Sequence, residues 1–325
     1  MTARRCLVTG GAGFIGSHLV EQLVQEGWQV RVLDDLSTGK LANLADILPR
    51  IEFQRGSIID EHAVRKATAG CEVVFHLAAL PSVARSLADP VTTHHVCATG
   101  TLMVLDAARK NGVRRVIYAA SSSAYGGTPG ALRKETDPVA PLSPYAASKL
   151  AGENYCEAFT TVYGLETVRV RFFNVFGPRQ DAKSPYTGVI ALFTAAMLEG
   201  RRPNVEGDGL QSRDFTFVAN AVQAVVRAAD ASDCVGKVYN IGNGESTTVM
   251  DLVRALNRIV KKKLEPTFAA ARPGDVRHSR ADISQARRDL GYEPWVPFAE
   301  GLRLTVEALA RHEVAAGATG ASRPE

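Results

Sequence analysis

The chain has 325 residues, 46% of them hydrophobic, and a formal net charge of +4 at pH 7. This length and apolar content can bury a substantial core, in one large domain or two closely packed ones. The mild charge, without a dense basic run or a membrane-length apolar run, indicates neither a nucleic-acid nor a membrane partner, and we expect no signal peptide. Five scattered cysteines without C-x-x-C spacing predict neither disulfides nor a metal site, so we expect a protein of the reducing cytoplasm.

The first predicted strand, Cys6 to Val8, runs into a turn that contains Gly10, Gly11, Gly13 and Gly16. The last three fit the G-x-G-x-x-G pattern. Glycine permits a sharp turn and lets backbone N–H groups approach a pyrophosphate, whose charge the N-terminus of the following helix favours. Without context the pattern is equally typical of an ordinary turn.

The second predicted strand supplies that context. A helix over Ser17 to Gln25 leads to a β-rich run, Gln29 to Leu33, that ends on Asp34 and Asp35. A carboxylate at this point can accept hydrogen bonds from an adenosine ribose and would repel a 2′-phosphate, which favours NAD over NADP. The alternative is that Asp34 caps the turn that follows it. The order of strand, glycine turn, helix, strand and acid predicts dinucleotide binding.

Through the first half of the chain, strand-like runs alternate with helical patterns, which predicts an α/β fold with a Rossmann-type, doubly wound parallel sheet. The predicted strands are Cys6 to Val8, Val30 to Asp34, Ile51 to Arg55, Val73 to Leu77, Val116 to Ser121, Thr167 to Phe172 and Val238 to Ile241. The predicted helices are Ser17 to Gln25, Glu61 to Thr68, Thr99 to Asn111, Pro144 to Tyr163, Val189 to Glu199 and Val249 to Val260. The pattern loosens after Gly177, where we expect a smaller C-terminal substrate-binding lobe. The predicted division is a NAD-binding domain of residues 1–177 with about 213–242, a lobe of residues 178–212 and 243–314, and a disordered tail of residues 315–325.

Tyr145 and Lys149 stand four residues apart at the start of a predicted helix, and therefore on one face. A phenol is a poor base at neutral pH, but an adjacent ammonium and a positively charged nicotinamide ring would stabilise the phenolate. An isolated Y-x-x-x-K would more simply be two surface neighbours. In this chain a predicted strand ends at Ser121, which places its hydroxyl at the same edge of the sheet, so we predict a general base.

Taken together, these segments resemble the extended short-chain dehydrogenase/reductase family, in particular its nucleotide-sugar epimerases and dehydratases. The matching segments are T-G-G-A-G-F-I-G-S-H (9–18), H-L-A-A (76–79), S-S-S-A-Y-G (121–126), P-Y-A-A-S-K (144–149), R-F-F-N-V-F-G-P (171–178), S-R-D-F (212–215) and R-P-G-D-V-R-H-S (272–279). The resemblance implies three catalytic residues: Ser121 assists the base, Tyr145 takes a proton from a sugar hydroxyl, and Lys149 holds the nicotinamide ribose. It also implies a tightly bound, recycled NAD, a UDP-sugar substrate and a homodimer built through a four-helix bundle of the helices at about Thr99 to Asn111 and Pro144 to Tyr163.

The resemblance further implies two sets of binding residues. The cofactor set is Gly10, Gly13, Phe14, Ile15, Gly16, Asp34, Asp35, Ser37, Thr38, Gly39, Ser57, Ile58, Leu77, Ala78, Ala79, Tyr145, Lys149 and Phe173. The substrate set is Ser82, Ser122, Ser123, Asn174, Val189, Arg213, Arg272, Asp275 and Ser279. The forked donors of the two arginines suit a pyrophosphate, although Arg213 and Asp214 could instead form a surface ion pair. Two positions depart from the family's pattern: Ser57 replaces an aspartate and Cys97 an asparagine, which predicts weaker cofactor binding.

The residues beside Ser121 imply the reaction. Related dehydratases and decarboxylases carry an acid there, whereas this chain has Ser122, Ser123 and Ala124. The implied reaction is therefore 4-epimerisation, in which NAD takes hydride from C4 of a UDP-hexose and returns it to the other face. Ser279 replaces a tyrosine that narrows the pocket in hexose-restricted members, which implies UDP-N-acetylglucosamine and UDP-N-acetylgalactosamine, as in bacterial surface-polysaccharide synthesis. The alternatives are a UDP-glucose or UDP-glucuronate 4-epimerase, a decarboxylase or dehydratase, and a non-catalytic NAD-binding regulator.

Overall fold

The computed structural model describes residues 4–182, 184, 187–271 and 276–320, with side chains described as far as Arg311. The strands are β1 (Arg5–Thr9), β2 (Gln29–Asp34), β3 (Glu52–Arg55), β4 (Val73–His76), β5 (Arg115–Ser121), β6 (Leu132–Arg133), β7 (Glu166–Phe172), β8 (Val175–Phe176), β9 (Asn204–Glu206), β10 (Ser212–Arg213), β11 (Thr216–Phe217), β12 (Val238–Ile241), β13 (Thr247–Thr248), β14 (Thr267–Ala269) and β15 (His278–Ala281). The α-helices are α1 (Phe14–Gln25), α2 (Glu61–Thr68), α3 (Val83–Ala88), α4 (Pro90–His94), α5 (Gly100–Lys110), α6 (Pro144–Tyr163), α7 (Val189–Leu198), α8 (Val218–Ala228), α9 (Val249–Val260), α10 (Ser284–Leu290) and α11 (Phe298–Gly320). A π-helix over His95–Thr99 joins α4 to α5, and 3₁₀ turns lie at Leu41–Leu44, Leu48–Arg50, Ser122–Tyr125 and Ser232–Cys234.

Seven strands form a parallel sheet in the order β12-β7-β5-β4-β1-β2-β3. The central strands β1, β4 and β5 are mainly apolar, because helices cover both faces and all their positions but Arg5 and Ser121 are buried. The strand order reverses between β1 and β4, which opens a crevice at the carboxyl ends of the strands. The predicted Rossmann-type α/β fold is confirmed.

Local sequence signals place the helix that carries the predicted base. Helix α6 begins at Pro144, and the hydroxyl of Ser143 caps it by accepting from the N–H of Ala146 at 3.2 Å. It ends at Gly164, which adopts the left-handed conformation with φ of 70°. These bounds are the predicted ones.

Other boundaries differ from the predictions. Helix α1 begins at Phe14, three residues early, because the glycine turn is complete at its N-cap, Gly13. The predicted helix from Thr99 is split into a π-helix and α5. Helix α11 extends to Gly320, so it includes residues 315–320, which were predicted to belong to a disordered tail. Residues 321–325 lie outside the described residues.

A second sheet, in the order β13-β10-β15-β6, forms the base of the smaller lobe. Strand β10 runs parallel to β15 with Arg213 opposite Ser279, so two residues of the predicted substrate set are neighbours in this sheet. Strand β6 comes from the first half of the chain and also pairs with β15. The second sheet therefore fixes the later segments against the NAD-binding half.

Within the described part of the chain, no helix is both long and apolar enough to cross a membrane. The same residues contain no group of three or more histidine, cysteine or acidic side chains arranged to hold a metal ion. All five cysteines are buried free thiols.

Candidate active site

A cleft of about 740 Å³ lies at the carboxyl ends of the parallel strands. The glycine turn, the loops after β2 and β4, the end of β5 and the start of α6 line it. Most of the predicted cofactor set lines this cleft: Gly10, Gly13, Phe14, Ile15, Gly16, Asp34, Asp35, Ser37, Thr38, Gly39, Ile58, Leu77, Ala78, Ala79, Tyr145 and Lys149. Ser121 and Asn174 line it as well. The fold thus brings the predicted nucleotide end and the predicted catalytic end into one cavity.

The glycine turn lines the cleft with backbone and leaves no space for side chains. Gly10 has φ of +70°, and a Cβ there would lie 2.8 Å from the backbone of Ala78. A Cβ on Gly16 would lie 2.1 Å from the carbonyl oxygen of Gly10. The N–H of Gly13 donates to that same carbonyl at 3.1 Å, directly before helix α1. The turn therefore presents a bare helix N-terminus to the cleft, as a pyrophosphate requires.

Asp34 stabilises the loops around the cleft and also lines the cleft. Its carboxylate is buried and accepts from the N–H of Ala12 at 2.9 Å and from the N–H of Leu36 at 2.8 Å. Burial raises the pKa of Asp34, and these two N–H groups oppose that effect. Asp34 therefore does cap the turn, and it also lines the cleft where an adenosine ribose would lie.

The three predicted catalytic residues meet at the other end of the cleft. The side chain of Ser121 accepts from the hydroxyl of Ser123 at 2.8 Å and lies near the Tyr145 hydroxyl, whose pKa it lowers. Lys149 is buried, and its Nζ donates to the carbonyl oxygen of Ala119 at 2.9 Å. Burial raises the pKa of Tyr145 and lowers the pKa of Lys149. The site thus holds a phenol and an amine in surroundings that disfavour the charged form of each.

Phe173, of the predicted cofactor set, is not among the residues that line the cleft. Its side chain is wholly buried and packs near Tyr125, with ring centroids 6.2 Å apart. The preceding residue, Phe172, lines the cleft instead, because successive side chains leave a strand on opposite faces. Ser57 is also absent from the lining, although its neighbours Gly56 and Ile58 belong to it.

Of the predicted substrate residues that the structure describes, only Asn174 lines the cleft. Ser82, Ser122, Ser123, Val189, Arg213 and Ser279 are not among the residues that line the cleft, and Arg272 and Asp275 lie outside the described residues. Ser82 caps α3 by accepting from the N–H of Arg85, and Val189 is the first residue of α7, directly after the cleft residue Gly188. The cleft therefore contains the cofactor and catalytic positions, and most of the substrate set lies around it.

The burial of Asp214 argues against a surface ion pair between Arg213 and Asp214. It is fully buried, and its carboxylate accepts from the backbone N–H groups of Asn243, Gly244 and Ala281 at 2.6 to 3.1 Å. Burial raises the pKa of Asp214 to about 6, against these three donors. Asp214 therefore joins segments of the lobe, whereas the Arg213 guanidinium donates to the backbone oxygen of Ser212 at 2.9 Å.

Several cleft residues were not predicted: Leu33, Leu36, Lys40, Gly56, Leu80, Pro81, Arg85, Val96, Ala119, Ala120, Phe172, Val175, Gln180, Asp181, Ser184, Thr187 and Gly188. Lys40 and Leu80 directly follow predicted motifs, so extending those motifs by one residue would have found them. The segment from Gln180 to Gly188 carries no such signal, since only the fold brings it to the cleft.

Three residues, Pro178, Arg179 and Asp181, join this later part of the chain to the nucleotide end. Lys40 Nζ lies 2.9 Å from Asp181 Oδ2, and both side chains are exposed. The Nε2 atom of His18 hydrogen-bonds the carbonyl oxygen of Pro178 at 2.9 Å. The third contact is an ion pair of 2.7 Å between Arg179 and Glu21. The chain after β8 is therefore fixed across the helix that begins at the glycine turn.

Comparison with known proteins gives one consistent group. Residues 6–242 match the model of the NAD dependent epimerase/dehydratase family. A UDP-glucose 4-epimerase from Mycolicibacterium smegmatis is 43% identical over 93% of this chain and 97% of its own length. Nucleotide-sugar decarboxylases and dehydratases also match, at 32% and 35% identity.

Solved structures agree in fold over nearly the whole chain. A UDP-N-acetylglucosamine 4-epimerase from Methanobrevibacter ruminantium, in complex with UDP-N-acetylmuramic acid, has a TM-score of 0.91 and 37% identity, covering 96% of this chain and 100% of that one. A UDP-glucose 4-epimerase from Thermus thermophilus, in complex with NAD, has a TM-score of 0.86 and 37% identity, covering 94% of this chain and 99% of that one.

Proposed function

The chain belongs to the NAD-dependent epimerase/dehydratase family, and from this premise we propose that it interconverts UDP-N-acetylglucosamine and UDP-N-acetylgalactosamine by 4-epimerisation. NAD is its cofactor. The glycine turn and Asp34 fit it, because the turn offers N–H groups where a Cβ would collide and the carboxylate lies at the end of β2. The observation that carries the proposal is the group of Ser121, Tyr145 and Lys149 at the far end of the same cleft.

Each of the three residues has a distinct part in the chemistry. When bound, NAD accepts hydride from C4 of the sugar and gives it back to the opposite face. Tyr145 removes the proton of the C4 hydroxyl and later returns it. Ser121, which lines the same cleft, assists Tyr145 in that transfer, and the Lys149 ammonium stabilises the phenolate.

The cleft favours epimerisation over elimination. Loss of water from the sugar needs a further acid beside the catalytic hydroxyl. Next to Ser121 the chain offers the hydroxyls of Ser122 and Ser123, and Ser123 already donates to Ser121. The carboxylates that line the described part of the cleft belong to Asp34, Asp35 and Asp181, which lie at the nucleotide end or on the segment bonded to Lys40. A decarboxylase or dehydratase is therefore the weaker alternative.

Ser279 supports the choice of sugar. It is a half-buried residue of β15, opposite Arg213, in the sheet that fixes the lobe. We propose that Arg213 holds the diphosphate and that the small side chain of Ser279 leaves room for an N-acetyl group on C2. UDP-glucose and UDP-glucuronate remain the alternative substrates.

A homodimer is part of the proposal. Helix α6 exposes Tyr155, Val162 and Tyr163, and α5, which packs beside it, carries the half-buried Leu102 and Met103. Exposed apolar residues on adjoining helices are typical of a protein interface. We propose that α5 and α6 pair with those of a second copy in a four-helix bundle, which predicts twice the chain mass by light scattering.

The experiment that tests the function is a substrate panel. The purified protein is incubated separately with UDP-N-acetylglucosamine, UDP-glucose and UDP-glucuronate, and products are followed by NMR. We expect conversion of UDP-N-acetylglucosamine to its C4 epimer at the highest kcat/KM, with NAD recovered from denatured protein. Faster conversion of another sugar would overturn the choice of substrate, and a stable 4-keto product or released CO₂ would overturn epimerisation.

A further inference from the structure

Tyr118 lies directly behind Lys149. It is a fully buried residue of β5, and its ring centroid is 5.0 Å from Lys149 Nζ. Its hydroxyl donates to the backbone carbonyl of Lys149 at 3.2 Å. Helix α6 has Gly152 at the crossing point, where a Cβ would lie 2.3 Å from the Tyr118 hydroxyl. The absence of a side chain at this glycine lets the helix approach the tyrosine closely.

His76 stands beside Tyr118, and its ring is neutral because burial lowers its pKa to about 3. The Thr101 hydroxyl donates to the Cys97 carbonyl at 2.7 Å, so it can only accept from His76 Nε2 at 3.0 Å. Nε2 therefore carries the hydrogen of the neutral ring. Nδ1 then accepts from the Thr9 hydroxyl at 2.7 Å, and that hydroxyl also accepts from the N–H of Ala78 at 3.2 Å.

The other groups around Lys149 provide little to hold its charge. The titratable side chains that face it are Tyr118, Tyr145, His76, Cys97, Cys156 and Glu153. Glu153 is committed to Arg171, with a 2.6 Å ion pair, and no described carboxylate forms an ion pair with Lys149. Besides the Ala119 carbonyl, the feature of the protein that attracts the ammonium most directly is therefore the electron-rich face of a neighbouring ring.

We propose that Tyr118 is a positioning residue for the reaction: its ring stabilises the Lys149 ammonium, and its hydroxyl fixes the turn of α6 that carries Lys149. This inference rests on the proposed function, in which Tyr145 needs that positive charge beside it. A buried amine otherwise loses its charge, because desolvation disfavours the ionised form. A cation over an aromatic ring recovers part of that loss, and does so most effectively in a site that excludes water. The neutral His76 adds no competing positive charge on the neighbouring strand.

The test compares Tyr118→Leu with Tyr118→Phe in the NAD-loaded enzyme. Loss of the ring should lower the pKa of Lys149, so the alkaline limb of the kcat/KM profile should move down by about one pH unit in the leucine variant. The phenylalanine variant keeps the ring and should restore the wild-type limb. Tyr239→Leu serves as the matched control, because Tyr239 is equally buried in the same sheet and contacts Asp289 instead. Tyr239→Leu should lower the free energy of unfolding without moving the alkaline limb of the kcat/KM profile.

A second measurement does not depend on turnover. The ionisation of Tyr145 is followed by ultraviolet difference absorbance of the NAD-loaded protein, with each variant compared with the same variant carrying Tyr145→Phe. In Tyr118→Leu, Tyr145 should ionise at a pH about one unit higher, because the ammonium beside it is populated less. If the substrate panel fails while this shift appears, the proposed function falls and the positioning role stands. An unshifted limb and an unshifted Tyr145 titration in a folded leucine variant would overturn the role of Tyr118.

Discussion

The two ends of the cleft are held in place by different means. At the nucleotide end the lining is backbone, packed so closely that Gly16 has a carbonyl oxygen 2.1 Å from where its Cβ would be. At the catalytic end the essential groups are side chains, Tyr145 and Lys149, whose positions depend on a strand and a helix distant in sequence. The nucleotide end should therefore be sensitive to added volume and the catalytic end to altered charge. Substitutions at each end can separate binding from chemistry.

The largest expected effect comes from Tyr145→Phe, which removes the proposed base and changes little else. Without the phenol the C4 proton has no acceptor, so we expect kcat to fall by about 10²–10⁴-fold. The NAD content of the purified protein should stay at the wild-type level, because the glycine turn and Asp34 are untouched. The measurements are initial rates and nucleotide released on denaturation.

The matched control for this variant is Tyr155→Phe, an exposed tyrosine on the same helix. It should keep the wild-type rate. A Tyr145→Phe protein that epimerises at the wild-type rate would contradict the assignment of the base, and one that loses NAD would contradict the separation of the two ends.

Gly16→Ala should produce the opposite pattern. Its new methyl group would collide with the backbone of Gly10 and Gly11, neither of which can move aside without distorting the turn. We expect a loss of about 3 kcal/mol in the free energy of unfolding and a protein purified with little NAD. Gly127→Ala is the control, since its Cβ would meet only the Leu142 side chain at 3.6 Å or more. Unchanged NAD content in Gly16→Ala would show that the turn is not the binding element.

The same contrast explains what the sequence could and could not predict. A backbone requirement restricts the residue type, so the close approach of Gly10 to Ala78 appears in the sequence as a glycine. Asp34, at the end of a β-rich run, could be predicted for the same local reason. Tyr145 and Lys149 could be predicted to lie together because both belong to the first turns of one helix.

Features that depend on contacts between residues distant in sequence could not be predicted from local patterns. The pairing of Arg213 with Ser279 joins two short strands that are 66 residues apart along the chain. Local sequence does not predict that Phe172, at the end of β7, lines the cleft while the adjacent Phe173 is buried away from it. The segment from Gln180 reaches the cleft through contacts such as the one between Lys40 and Asp181, and no local pattern predicts an ion pair between residues so distant in sequence.

Breaking the ion pair between Lys40 and Asp181 should have the smallest effect of these substitutions. It tests the contact between the nucleotide end and the later segment. Lys40 and Asp181 both line the cleft and are both exposed, and exposed pairs contribute about 0–1 kcal/mol. Lys40→Ala should therefore speed NAD release by up to about fivefold, leaving the rate of the chemical step unchanged. Asp181→Ala should do the same, and the double variant should add little, because a pair can be broken only once. Additive effects in this cycle would show that Lys40 acts on the nucleotide directly.

Because salt screens exposed charges, the difference in NAD release rate between wild type and Lys40→Ala should also shrink as ionic strength rises.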